Sequence, residues 1–230
     1  MRYSLLAKTY EELQSTTKKL EKRDILSKLY KETTEKDLPI VVKLSMGKVT
    51  DQDLGIAAKM MYRVIMRSFG VTKKELYKKL RQTGDLGLVA EEFAKNRKQK
   101  TFSKKQLAVE HVFENIKKLP KITGAGSQDK KISLLCELLS HAKPKEARYI
   151  VRTVLGDMRI GVAHGIVRDA IARAFDKDAK EIERSWNVTG DFGDVALMTK
   201  RGNLKTDIAL FKPVRVMLAE KSPDLETALN

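Results

Sequence analysis

The stretch Thr83–Glu92 reads TGDLGLVAEE and Thr189–Met198 reads TGDFGDVALM, so the phrase T-G-D-(L/F)-G-x-V-A occurs twice in one chain. In each copy an aspartate, Asp85 or Asp191, precedes apolar residues at helical spacing. Aspartate is a favoured N-cap because its carboxylate accepts hydrogen bonds from the first backbone amides of a helix. Each copy therefore predicts a helix start, and we call the two copies the first motif and the second motif.

The distance between the two motifs bears on the plan of the whole chain. The motifs lie 106 residues apart in a chain of 230 residues, which is too far for a solenoid repeat and close to half the length. This spacing predicts two related halves, and helix starts attract anions, so a pseudo-twofold partner is favoured. The alternative is that both motifs are merely capped helices whose glycines permit close packing between the halves.

Capped helical periodicity continues along the chain, and strand-like alternation is nearly absent before residue 204. The pattern predicts an all-α fold, a compact bundle of about a dozen helices in two pseudo-twofold related halves over residues 1–203. Residues 204–230 are predicted to form an extended linker and the start of a second domain, at which the chain looks cut off. The local predictions include helices at 5–20 and 23–34, an apolar helical run at 53–69, capping boxes at Thr72/Glu75 and Ser103/Gln106, and helix starts at Ser127, Pro144 and Asp178.

The composition favours a polyanionic partner. Lys and Arg number 46 against 30 Asp and Glu, which gives a formal net charge of +16, so nucleic acid is the first candidate. An anionic membrane is the rival, but no apolar stretch is long enough to span one and the N-terminus reads as an amphipathic helix, so we expect an intracellular protein. The single cysteine, Cys136, excludes an internal disulfide and shares a helical core face with Ile132, Leu135 and Leu139.

The stretch TGAGSQDKK (123–131) is the most informative candidate site. Its glycines let the backbone approach a bulky partner, its serine can cap a helix, and its glutamine can donate hydrogen bonds. Lys130 and Lys131 oppose the helix dipole, so a bound phosphate explains them better than helix stability does. No G-K-(S/T) follows, which argues against nucleotide hydrolysis. The alternative is an ordinary glycine-rich loop with solvated lysines.

A second candidate site is the stretch LGDMRIGVAHG (155–165), in which three glycines punctuate two helices. Arg159 lies in the tight connection between them, where it is placed to bind a phosphate or to enter a minor groove. The alternative is that Arg159 caps the C-terminal carbonyls of the preceding helix.

Catalytic and metal-binding patterns are missing from the sequence. There is no G-x-S-x-G, H-E-x-x-H or paired-carboxylate signature. The histidines His111, His141 and His164 match no metal-ligand spacing and are predicted on helix surfaces or beside the core. Trp186 and Tyr149 are predicted to be core or interface anchors, because they lack the dense aromatic interleaving of single-strand binders. We therefore predict no catalytic residue, metal or cofactor in this chain.

Seven stretches in collinear order resemble one family. They are TGDLG (83–87), KQKTF (98–102), TGAGSQDKK (123–131), EARYIVRTVLGDMRIGV (146–162), VRDAIARAF (167–175), DFGDVA (191–196) and KPVRVMLAE (212–220). The series is similar to the N-terminal DNA-binding domain of archaeal and eukaryotic-type ATP-dependent DNA ligases, above all the archaeal form. The resemblance covers essentially the whole chain.

The resemblance implies a three-step reaction for the complete enzyme. A lysine in a K-x-D-G motif is adenylated by ATP, the AMP passes to the 5′ phosphate of a nick, and the 3′ hydroxyl displaces AMP with magnesium assisting. The 230 residues contain no K-x-D-G, since KTDI (205–208) lacks the glycine. The resemblance therefore implies a domain that binds nicked DNA without sealing it, while ATP and magnesium act in the catalytic domains of the same ligase.

In this family the helical domain meets the minor groove of duplex DNA with a pseudo-twofold surface and grips phosphates on both sides of a nick. A duplex backbone is itself pseudo-twofold, so two related halves of the protein can make matching contacts with it. This symmetry would explain why the motif occurs twice. Such contacts do not read bases, so binding is expected to be sequence-independent and salt-dependent. The resemblance assigns the phosphate-facing role to Gly124, Ala125, Gly126, Ser127, Gln128, Lys130, Arg159, Gly161, Gly84, Gly87, Gly190 and Gly193.

The stretch KQKTF resembles a short glutamine-led motif with which archaeal ligases dock the sliding clamp. Gln99, Lys100, Thr101 and Phe102 match its core, while Lys105 and Gln106 stand where a full motif has aromatic residues. The alternative is a basic solvated loop with one incidental phenylalanine. An exposed Phe in so polar a run favours a partner site.

Three functions remain open at this point. The first is the DNA-binding module of a ligase, a monomer that binds nicked duplex DNA, the sliding clamp and its own catalytic domains, and no membrane. The second is a standalone architectural DNA binder, which would show no preference for a nick. The third is a helical adaptor for the clamp, which would bind DNA weakly and lose its main interaction on Phe102→Ala substitution.

Overall fold

A computed structural model describes residues 1–97 and 106–204 of the chain. Over these residues it contains twelve α-helices and one 3-10 helix (Leu119–Lys121), with a single antiparallel bridge between Arg2 and Ala108 as the strand-like pairing, which confirms the all-α prediction. The helices are α1 (Tyr3–Ser15), α2 (Lys19–Glu32), α3 (Leu38–Ser45), α4 (Ala58–Phe69), α5 (Lys73–Thr83), α6 (Leu86–Lys95), α7 (Val109–Lys118), α8 (Ser127–His141), α9 (Pro144–Leu155), α10 (His164–Phe175), α11 (Ala179–Thr189) and α12 (Phe192–Lys200).

Two of the predicted helix boundaries at the start of the chain are wrong. The single helix predicted at 5–20 ends at Ser15, and α2 begins at Lys19 instead of residue 23. Thr16 between them has extended backbone angles, and its hydroxyl accepts a hydrogen bond from the amide of Lys18 at 3.2 Å. A threonine side chain that bonds the nearby backbone in this way competes with the helix and ends it.

The helix predicted to start at the capping box Ser103/Gln106 begins later than expected. Ser103 lies outside the described residues, and Gln106 precedes a helix, α7, that begins at Val109. The chain here is held by the N-terminus, because the amide of Tyr3 donates to the oxygen of Leu107 at 2.8 Å and the amide of Val109 donates to the oxygen of Met1 at 2.9 Å. This long-range pairing immediately precedes α7 and sets where the helix begins. The capping box at Thr72/Glu75 is confirmed.

The core is organised around helix pairs that join distant parts of the chain. The closest pairs are α6 with α9, α2 with α10, α4 with α8, and α12 with α3. Four tyrosines lie at its centre without solvent exposure, and they include Tyr149, which confirms its predicted core role. Cys136 packs beside this core as predicted, and its thiol donates to the oxygen of Val64 at 3.6 Å.

The two motif helices pack at equivalent places in the chain. Helix α6 of the first motif packs on α9, and helix α12 of the second motif packs on α3. The partner of each motif helix comes three helices before the other motif helix, since α9 precedes α12 by three and α3 precedes α6 by three. Each motif therefore packs on a helix from the other predicted half. The pseudo-twofold relation of the complete halves stays a prediction.

Candidate nucleic-acid interface

Both motifs fold into the same helix-turn-helix junction. In the first, Gly84 ends α5 in the left-handed region with φ of 63°, and Asp85 caps α6 by accepting from the amides of Gly87 at 2.6 Å and Leu88 at 3.2 Å. The two N-caps predicted at Asp85 and Asp191 are confirmed. A glycine is required before each aspartate because other residues rarely adopt a positive φ.

The second motif repeats this geometry. Gly190 ends α11 with φ of 70°, and Asp191 accepts from the amides of Gly193 at 2.8 Å and Asp194 at 3.4 Å. The expectation that these amides are free for an anion needs correction in both motifs. The N-cap carboxylate already satisfies two amides of the first turn, so it competes with any bound phosphate.

Gly87 and Gly193 are buried between helices. A Cβ on Gly87 would lie 2.9 Å from the backbone oxygen of Arg148 in α9, and one on Gly193 would lie 2.7 Å from the oxygen of Pro39 in α3. At these two positions glycine therefore permits the close packing of helices, as the capped-helix alternative predicted. Gly84 is exposed and Gly190 is half-buried, so both lie nearer the surface.

A charged network surrounds the first motif. The carboxylate of Asp85 accepts from Arg152 Nε at 3.1 Å and Nη2 at 2.7 Å, and these side chains are 4% and 3% exposed. Burial by itself would raise the pKa of the Asp85 carboxyl. The hydrogen bonds and charge of Arg152, with the amides of Leu88 and Gly87, outweigh burial and hold that pKa below its ordinary value.

The loop after α9 brings Arg159 to the first motif. Gly156 ends α9 with φ of 70°, and Arg159 itself adopts the left-handed region with φ of 54°. Its guanidinium lies 2.7 Å from Asp157 and 3.4 Å from Asp85, and the side chain is 46% exposed. Arg159 therefore pairs with carboxylates beside the first motif rather than with the last carbonyls of α9.

The loop before α8 is open to solvent. Gly124 and Gly126 have φ of 84° and 73°, and a Cβ on either would meet no atom of the described chain within 4 Å. Gly126 is the N-cap and Ser127 the first helical residue, so the prediction that Ser127 caps α8 is wrong. The amide of Ser127 instead donates to the oxygen of Gly124 at 3.2 Å, a turn that the left-handed glycines allow.

The two lysines that follow have different surroundings. Lys131 donates to the backbone oxygen of Leu54 at 3.0 Å, which fixes the start of α8 against the chain before α4. Lys130 is exposed and makes no ion pair with a described residue, so it is available to an anionic partner.

Residues 47–57, which we call the connecting strip, link these candidate sites. One cleft holds Lys48–Asp51 with residues 190–193 of the second motif, and another holds Ile56–Ala58 with Gly84–Gly87, Asp157 and Arg159. A third cleft between them is lined by Gly47–Thr50, Asp53, Leu54, Ile56 and Thr153–Gly156. The strip therefore runs from the second motif to the first, beside the α9 loop and the start of α8.

The connecting strip was not predicted from the sequence. A helical run was predicted from residue 53, whereas α4 begins at Ala58 and the preceding residues are not helical. Gly47 and Gly55, both at positive φ, were the available signal. Lys48, which pairs with Asp51 at the second motif, is the basic residue that this region adds to the interface.

Aromatic side chains form one wall of the cleft at the second motif. Trp186 stacks on Phe192 with ring centroids 5.0 Å apart and an angle of 8° between planes, and His164 meets Trp186 edge-on at 5.4 Å. Trp186 is half-buried and packs against the core, as predicted for an anchor. His111 and His164 are exposed and His141 is half-buried, also in line with the prediction.

Within residues 1–97 and 106–204, no group of three His, Cys, Asp or Glu side chains could hold a metal ion. Over the same part of the chain, every helix is too short or too polar to cross a membrane. The predicted clamp residues Gln99–Phe102 and the predicted linker at 205–230 lie outside the described residues.

Comparison with known proteins shows the family of this chain. A family described as DNA ligase N terminus matches residues 2–172. The chain therefore belongs to the DNA ligase N-terminal domain family, and the resemblance found in the sequence is confirmed.

Individual relatives agree with the family. The chain is 40% identical over 236 residues to a DNA ligase of Methanothermobacter thermautotrophicus, 38% over 237 residues to one of Thermococcus onnurineus and 34% over 241 residues to one of Cenarchaeum symbiosum. These alignments cover 99–100% of this chain and 41–42% of the relatives, so the chain spans about two fifths of their length.

Proposed function

We propose that this chain binds nicked duplex DNA without reading its sequence, as the DNA-binding module of an ATP-dependent DNA ligase in DNA replication, repair and recombination. The observation that carries the proposal is the connecting strip, because it unites both motifs, the α9 loop and the start of α8 along one face. The net charge of +16 and the ligase relatives support a nucleic acid as the occupant of that face.

In this proposal Lys130 and Arg159 bind backbone phosphates as cations. The open glycines Gly124 and Gly126 let a phosphate reach the backbone at the start of α8. Gly84 and Gly190 line clefts along the strip, and Gly161 follows Arg159 by two residues in the same loop. Gly87 and Gly193 act indirectly, by setting the distance between each motif helix and its partner. Because the contacts are to phosphates, affinity falls steeply with salt and changes little with base sequence.

The remaining parts of the proposal concern the rest of the enzyme. The catalytic domains of the same ligase supply the adenylated lysine and use ATP and magnesium, and the sliding clamp binds Gln99–Phe102. The chain itself acts as a monomer and contributes no catalytic residue, so it holds a nick without sealing it.

A fluorescence titration tests the DNA interface. The wild-type chain is titrated with nicked and intact duplexes of two unrelated sequences at several salt concentrations. We expect a modest preference for the nick and a steep salt dependence. The double variant Lys130→Glu plus Arg159→Glu should bind more weakly and flatten the slope of log affinity against log salt by about two, the loss expected for two phosphate contacts.

A matched variant controls for net charge. Lys28→Glu plus Lys177→Glu changes the charge equally at two exposed lysines outside the three clefts. Equal losses in the two double variants would contradict the assigned face. Binding without nick preference would favour the architectural reading. Weak binding at low salt, with the clamp interaction lost on Phe102→Ala, would favour the adaptor reading.

A further inference from the structure

A buried lysine lies behind the loop that carries Arg159. Lys22 belongs to α2 and is only 6% exposed, and its Nζ donates to the backbone oxygens of Ile160 at 2.5 Å and Gly161 at 3.2 Å. No carboxylate of a described residue pairs with this ammonium. A buried charge without a counter-charge is costly, so fold stability alone gives no reason for a lysine here.

The two hydrogen bonds of Lys22 decide which way the loop presents its amides. In a trans peptide the carbonyl and the N–H point to opposite sides, and the described chain has no cis peptide bond. Because the oxygens of Ile160 and Gly161 point inward to Lys22, the N–H groups of Gly161 and Val162 point away from it. Neither N–H has an acceptor among the described residues.

The surface above Lys22 suits an anion. Gly161 is exposed with φ of 61°, Val162 is half-buried, and consecutive backbone amides that point to one side form an anion-binding nest. A Cβ on Gly161 would collide with the Lys22 ammonium, so the glycine makes room for the cation behind the loop. Helix α10 starts two residues later without a capping side chain, and its dipole adds to the positive field.

We infer that Lys22 builds a phosphate site at Gly161 and Val162. The ammonium turns both carbonyls inward, presents the amides of Gly161 and Val162 to one phosphate of a duplex backbone, and places a positive charge directly behind them. Lys22 is thus a positioning residue that acts through the loop, on an element distant in sequence from the motifs. The inference rests on the proposed DNA binding and adds Lys22 and the Val162 amide to the interface.

A pair of variants on α2 tests the role of Lys22. Lys22→Met keeps the length of the side chain and removes its charge, while Lys28→Met removes an equal charge at an exposed position of the same helix. We expect Lys22→Met to weaken duplex binding about ten-fold, the scale of one charged hydrogen bond, and to flatten the salt slope by about one. Lys28→Met should leave the slope unchanged. Equal effects of the two substitutions would overturn the inference.

A measurement on the wild-type chain does not depend on how Lys22→Met folds. Amide resonances of Gly161 and Val162 are followed by nuclear magnetic resonance during titration with a short duplex, and separately with inorganic phosphate. The inference expects both amides to shift with the duplex, and a shift with phosphate as well supports a site for the anion itself. Duplex binding that leaves both amides unmoved overturns the inference and leaves the proposed function standing, whereas absent duplex binding counts against the proposed function itself.

Discussion

The first and second motifs share a sequence and a backbone but hold their aspartates in different surroundings. Asp85 and its partner Arg152 are 4% and 3% exposed, whereas Asp191 and its partner Lys43 are 29% and 30% exposed and lie 2.6 Å apart. In both motifs the partner cation follows, by four residues, the residue whose carbonyl oxygen packs against the motif glycine. Arg152 follows Arg148 in this way, and Lys43 follows Pro39. The same local device is therefore built once inside the protein and once at its surface.

A repeated motif does not by itself determine how much each copy contributes to the stability of the fold. The burial of Asp85 comes from the loop at 156–161, since Arg152 also donates to the oxygen of Met158 at 3.3 Å and Arg159 covers the same carboxylate. The second motif instead lies beside a cleft that Lys48 and aromatic side chains line. We expect the first motif to contribute more to stability than the second.

The largest expected difference lies in the two aspartates. Asp85→Asn keeps an N-cap residue but leaves the Arg152 charge buried without its carboxylate, so unfolding free energy should fall by about 3 kcal/mol. Asp191→Asn breaks a partly exposed pair and should cost less than about 1 kcal/mol. Urea unfolding of both variants measures the difference, and similar losses would show that the exposure of the pair does not control its contribution.

The pH dependence sharpens the same test. Because the pKa of Asp85 is lowered in the folded chain, its stabilisation is fully present above the ordinary carboxyl pKa of about 4 and is lost as pH falls through the lowered value. The stability difference between wild type and Asp85→Asn should therefore shrink in acid. A difference that stays constant below pH 4 would mean that the charge of Asp85 is not the cause.

The two glycines should behave alike, because the motifs share their helix packing. Gly87→Ala and Gly193→Ala each press a methyl group against a backbone oxygen, so each should lower unfolding free energy by about 2 kcal/mol. Gly165→Ala is the matched control, since Gly165 is also the second residue of its helix and a Cβ there meets no described atom within 4 Å. That substitution should stabilise the chain by about 0.5 kcal/mol. Neutral substitutions at residues 87 and 193 would contradict the close approach.

The smallest expected effect concerns DNA affinity at the first motif. Asp157→Asn removes a carboxylate that holds Arg159, so duplex binding should strengthen about three-fold, the scale of one exposed ion pair. Asp24→Asn is the control, because it removes an equal charge from an exposed pair with Arg173. Equal strengthening in both variants would mean that only net charge matters at this face.

Features with local causes could be predicted from the sequence. The N-caps at Asp85, Asp191 and Asp178 and the proline at the start of α9 follow from short-range hydrogen bonds and backbone geometry, and all four are confirmed. The all-α fold followed from helical periodicity along the chain.

Features that depend on distant contacts could not be predicted. The start of α7 is set by the N-terminal residues. The N-cap of α8 is Gly126, in the left-handed region, and not the predicted Ser127. Lys22 fell between the helices predicted at 5–20 and 23–34. Nothing local to it signalled its role, because its acceptors lie 138 and 139 residues further along the chain. The connecting strip has no periodicity in its sequence. Its position is set by packing against four other segments, which are the two motifs, the loop after α9 and the start of α8.

The pairing of early helices with late ones has a consequence for biosynthesis. Helix α3 packs on α12 and α2 packs on α10, so α2 and α3 meet these main partners only after most of the described chain exists. At ribosomal rates of roughly 5 to 20 residues per second, α3 waits on the order of ten seconds for α12. Its apolar face is exposed during that interval. Slower translation should therefore lengthen the time during which this face can aggregate.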